Sequence, residues 1–295
     1  MSNVIECNNL THYYGNKLVY ENLNFHVREG SILGLLGKNG AGKTTTINIL
    51  HGFLQPREGE CLIYGENTQQ LSPITKSRIG FLIEGHVQYA FMDIHQIEKF
   101  YSGFYPKWNN RPYWELMSKL KVTPKQKIST MSCGQKSQVA LGLILAQEPD
   151  LLILDDFSMG LDPGYRRLFI DYLRTYAKEE NKTIFATSHI VQDMERLIDD
   201  VLIMDYNRVL AHSSIDDFMT NFKQFNFKIG NTDMDLSKED FVVNLERTKN
   251  DLELFTYESE SFVKGFLDKK NIPYDQFREV PMGLEDAFIG LTGKY

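Results

Sequence analysis

The chain has 295 residues, 42% of them hydrophobic and 24% charged, enough for one large folded domain and a smaller one. No stretch approaches the roughly 18 uninterrupted apolar residues of a membrane span, and Met1–Glu6 lack the basic and apolar regions of a signal peptide. The formal charge of −7 argues against general nucleic-acid affinity, and residues 216–295 hold 16 acidic against 10 basic residues.

In chain order, Val4–Tyr14 and Leu18–Val27 predict an antiparallel strand pair turning at Gly15-Asn16. Ser31–Leu36 predicts a short buried strand. A glycine-rich loop and a helix from about Lys43 to His51 follow, closed by Gly52 and Pro56. Cys61–Tyr64 and Ile79–Ile83 read as strands. Between about 87 and 146 the pattern is helical, with aromatic clusters at Phe100–Tyr105 and Trp108–Trp114. Leu151–Leu154 is a continuous apolar strand running into two carboxylates. Tyr165–Lys178 reads as helix, Thr183–Thr187 as strand, Ile190–Leu197 as helix, and Val201–Asp205 with Arg208–His212 as a last strand pair. This alternation implies an α/β fold with a mostly parallel sheet covered on both faces.

After about Ser214 the pattern changes. Phe225, Phe227 and Ile229 alternate as in a strand, as do Leu252, Leu254 and Thr256, and helices follow at Glu260–Lys270 and from Leu284. The expected organisation is a domain over 1–214 and a small accessory α/β unit over 215–295. Cys7, Cys61 and Cys133 are isolated, and the simplest expectation is reduced thiols in a cytosolic protein.

Residues 37–45 read Gly-Lys-Asn-Gly-Ala-Gly-Lys-Thr-Thr and satisfy the pattern G-x-x-x-x-G-K-[ST]. Glycines let backbone N–H groups turn inward on phosphate oxygens, and the helix that begins at Lys43 adds its partial positive end. Asn39, Gly40, Ala41, Gly42, Lys43, Thr44 and Thr45 are therefore the expected ATP cradle. Lys43 is expected on the β/γ-phosphates and the Thr44 hydroxyl on Mg²⁺. Asp155, at the end of a buried strand, is the second expected Mg²⁺ ligand.

With these motifs in this order, residues 1 to about 214 resemble the P-loop ATPase subunit of an ATP-binding-cassette (ABC) transporter. The family has an antiparallel β subdomain and an inserted helical subdomain, here about 87–146. The resemblance implies that Tyr14, before Gly15, stacks on adenine. It implies that Met131-Ser132-Cys133-Gly134-Gln135 is the family signature, whose Ser132, Gly134 and Gln135 grip ATP held by the opposite subunit. Asp162, in Ser158–Pro163, stands where the family contacts its partner subunit. Asp156 stands where the family has a general-base Glu. His189, in Thr187-Ser188-His189, stands at the switch histidine, and Glu84, at the end of Ile79–Glu84, replaces a Mg²⁺-sensing Gln. The implied catalytic group is thus Asp156, His189, Lys43 and Glu84, with Thr44, Asp155 and Glu84 at the metal.

Three departures stand out. Asp156 is one methylene short, Cys133 replaces a residue without Cβ, and Glu84 adds charge near phosphate. They allow a heterodimer with a sibling ATPase beside the homodimer. The tail, Pro281–Gly293, resembles that of bacterial drug, antibiotic and peptide exporter ATPases of the ABC-2-like type. The implied function is an ATPase on the cytoplasmic face of the membrane that drives separate transmembrane permease subunits and binds no nucleic acid. The region from about Glu84 to Trp108 is the expected docking surface. The alternatives are an importer subunit, or a soluble ABC ATPase or ATP-gated regulator with slow hydrolysis. Asp155 follows Lys43 by 112 positions, and the stretch between them holds no heptad run, which disfavours DNA-maintenance relatives.

Overall fold

Two long strands, β1 (Asn3–Tyr14) and β2 (Lys17–Arg28), pair antiparallel across the two-residue turn Gly15-Asn16. The computed structural model describes residues 2–82, 89–119, 122–123, 125–158, 160–229, 235–249 and 251–293. Next come β3 (Ile32–Gly37), α1 (Lys43–Leu50), β4 (Glu58–Ile63) and β5 (Glu66–Asn67), the last two completing a sheet of order β2-β1-β4-β5. The short helix α2 (Pro73–Ser77), N-capped by Ser72, leads into β6 (Ile79–Leu82). Ile83, expected as the end of that strand, lies outside the described residues.

The helical stretch resolves into α3 (Ile94–Ser102), α4 (Asn110–Lys119) and α5 (Cys133–Leu145). Tyr113 of α4 is fully buried and its hydroxyl donates to the Ile94 carbonyl at 2.7 Å, which ties α4 to α3. Then follow β7 (Leu151–Leu154), α6 (Pro163–Glu179), β8 (Thr183–Thr187), α7 (Val191–Leu197), β9 (Asp200–Asp205) and β10 (Arg208–Ser214). The second sheet has the order β10-β9-β3-β8-β7-β6, and its β6–β7, β7–β8, β8–β3 and β3–β9 pairs are all parallel. Every residue of β7 is fully buried. The antiparallel sheet packs on this one, with Phe25 stacked on Phe185 at 5.7 Å. Each such burial stabilises the fold by about 1.5–3 kcal/mol.

The expectation of three isolated thiols needs correction. Cys7 and Cys61 are direct partners across β1 and β4, with Cα atoms 4.3 Å apart, and they form a disulfide. Strand register brings together residues that are 54 apart in sequence. Cys133 remains free and exposed.

The chain divides into two units, Met1–His212 and Ser213–Tyr295. The second contains α8 (Ile215–Asn221), β11 (Lys223–Ile229), β12 (Asn244–Thr248), β13 (Asp251–Thr256), α9 (Glu260–Lys269), β14 (Tyr274–Val280) and α10 (Leu284–Thr292). Its antiparallel sheet runs β12-β13-β11-β14. Alternation decides the two faces. Phe225, Phe227, Leu252 and Leu254 pack on Val263 and Leu267 of α9. Phe255, on the other face, meets Phe222 after α8 and the Cα side of Gly290 in α10.

Candidate functional site

The loop between β3 and α1 owes its shape to Gly42, at φ +103, a conformation L side chains rarely adopt. A Cβ there would stand 2.7 Å from the ring of Tyr20 and 2.9 Å from Val19. β2 therefore closes against the loop from beneath. Gly42 is also the N-cap of α1, and no side chain caps this helix start. An uncapped helix start, whose first N–H groups lack intrahelical acceptors, is suited to an anion. Asn39, Gly40 and Thr44 are exposed, while Ala41, Lys43 and Thr45 are buried.

Lys43 Nζ donates to the carbonyls of Gly37 at 2.7 Å and Lys38 at 3.3 Å. Burial lowers its pKa, opposed by the charges of Asp156 and Asp155. Tyr14 is half exposed, and its hydroxyl lies 3.4 Å from Thr45 Oγ1, so its ring stands beside the cradle. His12 packs edge-on against that ring at 4.9 Å.

The carboxylates sit at the end of β7. Asp155 is buried, its N–H donates to the Leu82 carbonyl, and its Oδ1 accepts from the Thr187 hydroxyl at 2.7 Å. Asp156 has φ +43, unusual for a residue with a side chain. Its N–H donates to Thr187 Oγ1 at 3.1 Å, and its Oδ2 lies 2.9 Å from His189 Nε2. The fold thus brings Lys43, Asp155, Asp156 and His189 into one electrostatic group. Glu84, the remaining expected member, lies outside the described residues. Thr187 itself was not singled out by sequence reasoning, because its partners lie on the neighbouring strand. An exposed hydroxyl at Thr44 and a carboxylate at Asp155 are hard oxygen donors, too few for a full protein cage. Such a set fits Mg²⁺, which keeps waters and phosphate oxygens among its ligands.

The signature segment forms a second group. Ser132 is the N-cap of α5. Its hydroxyl accepts from the Gln135 N–H at 3.2 Å, and the Gln135 amide oxygen accepts from the Ser132 N–H at 3.0 Å. Gly134 is buried against Leu161. Gly160, at φ +72, leaves room for the Cys133 thiol, since a Cβ on it would stand 2.6 Å from that sulfur. Asp162 is the N-cap of α6 and accepts from the N–H groups of Gly164 and Tyr165, each at 3.1 Å. The start of α5 and the loop before α6 are therefore neighbours within one chain.

A third feature is a groove of about 530 Å³ lined by His51, Phe53, Phe81, Tyr101, Tyr105 and Leu143. Phe53 is 72% exposed. His51 stacks between Phe53 and Phe81, and burial pushes its pKa down to about 4. No helix among the described residues is long and apolar enough to cross a membrane.

Comparison with known proteins agrees with this geometry. Residues 20–158 match the family profile described as ABC transporter. The bacitracin transport ATP-binding protein BcrA of Bacillus licheniformis is 30% identical over 99% of this chain and 98% of its own. The Nod factor export ATP-binding protein I of Cupriavidus metallidurans is 28% identical over 100% of this chain and 99% of its own. A solved ATP-binding subunit of an ABC transporter superposes with a TM-score of 0.65 at 26% identity, over 74% of this chain and 92% of that one. The chain belongs to the ABC transporter ATP-binding family and is an ATP-binding ATPase.

Proposed function

We propose that this ATPase powers a membrane exporter. The similarity that carries this reading runs end to end, residues 215–295 included, and its partners are proteins named for bacitracin transport and Nod factor export. Two copies, or one copy and a sibling chain, close on ATP. The motion passes to separate transmembrane subunits at the cytoplasmic face, which choose a peptide, antibiotic or amphiphile. The aromatic groove at Phe53, Phe81 and Tyr101 is the docking surface for those subunits.

In this scheme Lys43 leaves the Gly37 and Lys38 carbonyls for the β/γ-phosphates, and Tyr14 stacks on adenine. Thr44 and Asp155 would hold Mg²⁺, which would supply charge neutralisation at the phosphates. Asp156 accepts the proton of the attacking water, and His189 holds that carboxylate and reaches the γ-phosphate. Ser132, Gly134, Gln135 and Asp162 of one protomer complete the site of the other.

Asp156 decides the test. Asp156→Asn should keep ATP bound and lower hydrolysis by about 10²-fold or more. In ATP this variant should dimerise, alone or with its sibling, and co-purify from membranes with a multi-span protein. A strictly monomeric ATP-loaded protein would overturn the reading. Asp156→Glu should raise hydrolysis, by up to about 10²-fold, if the missing methylene leaves the base short of the water. A rate drop in that variant counts against slow hydrolysis by a short base.

A further inference from the structure

One hydroxyl on β8 holds the Asp155 carboxylate and the Asp156 backbone N–H just past the end of β7. Thr187 is fully buried. A hydroxyl has one proton to donate and lone pairs to accept with, and Thr187 uses both capacities on the two successive residues that follow the neighbouring strand. Its proton goes to Asp155 Oδ1 at 2.7 Å, and its lone pair takes the Asp156 N–H at 3.1 Å. The first bond fixes the plane of the Asp155 carboxylate and leaves Oδ2 for other partners. The second ties down the backbone of Asp156 where it enters the left-handed region at φ +43. From that backbone the Asp156 carboxylate reaches His189 Nε2 at 2.9 Å. A valine would fill the same volume and make neither bond.

We propose that Thr187 is the positioning residue of the ATPase site. It sets the Asp155 carboxylate for the divalent cation and the Asp156 carboxylate for water, and so lets an aspartate serve as base. Thr187, fully buried, acts through the two acids. The proposal rests on the roles assigned above to Asp155 and Asp156.

The test uses the full chain carrying Thr187→Val, Thr187→Ser or Asp155→Asn, with Thr187→Ala replacing valine where the valine chain does not fold. Binding of ATP is titrated against Mg²⁺, with Mn²⁺ as a paramagnetic probe, and hydrolysis and thermal unfolding are measured in parallel. Thr187→Val should raise the half-saturating Mg²⁺ by about tenfold, the effect of one lost buried hydrogen bond. It should lower kcat by about 10²-fold, with KM for saturating Mg-ATP changed less than about threefold. Thr187→Ser, which keeps the hydroxyl, should restore both. A purely structural threonine would move the melting temperature alone, and that result overturns the proposal. Altered Mg²⁺ dependence in Asp155→Asn but not in Thr187→Val overturns the proposal while leaving the site reading intact. Unchanged dependence in both overturns the reading and the proposal with it.

Discussion

Two helix starts in this chain, given the same chemical task by the proposed function, are built differently. At α1 the N-cap is Gly42, no side chain caps the turn, and the loop before it is glycine-rich. At α5 the N-cap is Ser132, and the capping box with Gln135 satisfies the Ser132 and Gln135 N–H groups internally. The first start is open and preorganised for an anion. The second is partly occupied by its own cap. In the proposed sandwich α1 of one protomer and α5 of the other meet the same ATP from opposite sides. Under that proposal nucleotide affinity falls to α1 and conditional grip to α5, since an internal cap worth about 1 kcal/mol is easily exchanged for a charged phosphate.

The harshest way to break this comparison is to put one methyl at each start. Gly42→Ala forces a side chain into φ +103 and onto the Tyr20 ring. The conformational penalty alone is about 1–2 kcal/mol before the clash. ATP affinity of the single protomer should fall by more than about 10²-fold by equilibrium dialysis. Gly134→Ala places its methyl 3.1 Å from a flexible Leu161 methyl, inside a helix. Helix propensity favours alanine there by about 1 kcal/mol, so protomer affinity should not change. Equal losses in the two variants would mean that the starts are not distinct devices.

The other end of α1 sharpens the contrast. His51 is its C-cap, where a helix favours a cation. Burial among Phe53 and Phe81 overrides that preference, and the imidazole pKa falls from its ordinary 6.5 to about 4. The folded chain therefore resists protonation that the unfolded chain accepts. Stability from this group is complete above about pH 6.5 and declines as pH falls from 6.5 through 4. The full loss is about 3 kcal/mol at most. His12 and His212, also lowered by burial, act in the same direction. Urea unfolding at pH 7.5 and 4.5 isolates His51 when wild type is compared with His51→Phe, because the other two histidines cancel. The variant should lose less stability on acidification. An equal loss would show that His51 is hydrated.

Much of this was legible because the chemistry is local. The phosphate loop needs a fixed spacing of Gly37, Gly42, Lys43 and Thr44, and Leu151–Leu154 and Thr183–Thr187 are apolar or β-branched runs that only a buried strand explains. What escaped was register and irregularity. Strand β14 shows no clean alternation because Gln276 takes φ +54 and the pairing with β11 shifts between Asn226 and Lys228. Edge strand β12 is half exposed, and α8, at seven residues, is too short for a helical period to stand out. The bond from Thr187 to Asp155 and the pairing of Cys7 with Cys61 depend on which strands are neighbours, which no local pattern encodes.

The mildest perturbation separates the two roles of Ser132. Ser132→Ala removes the capping oxygen, at a cost of about 1 kcal/mol, and should lower the melting temperature by a few degrees. Taken alone, that result fits a cap and nothing more. Ser132→Asp resolves it. Aspartate caps as well as serine does, and its charge suits a helix N-terminus, so stability should match or exceed wild type. The same carboxylate would face the γ-phosphate of ATP on the opposite protomer, where like charges repel. In the Asp156→Asn background, light scattering should find the alanine variant dimerising weakly in ATP and the aspartate variant not at all. Normal dimerisation of the aspartate variant would make α5 a capped helix with no part in gripping nucleotide, and the contrast with α1 would reduce to one of local stability.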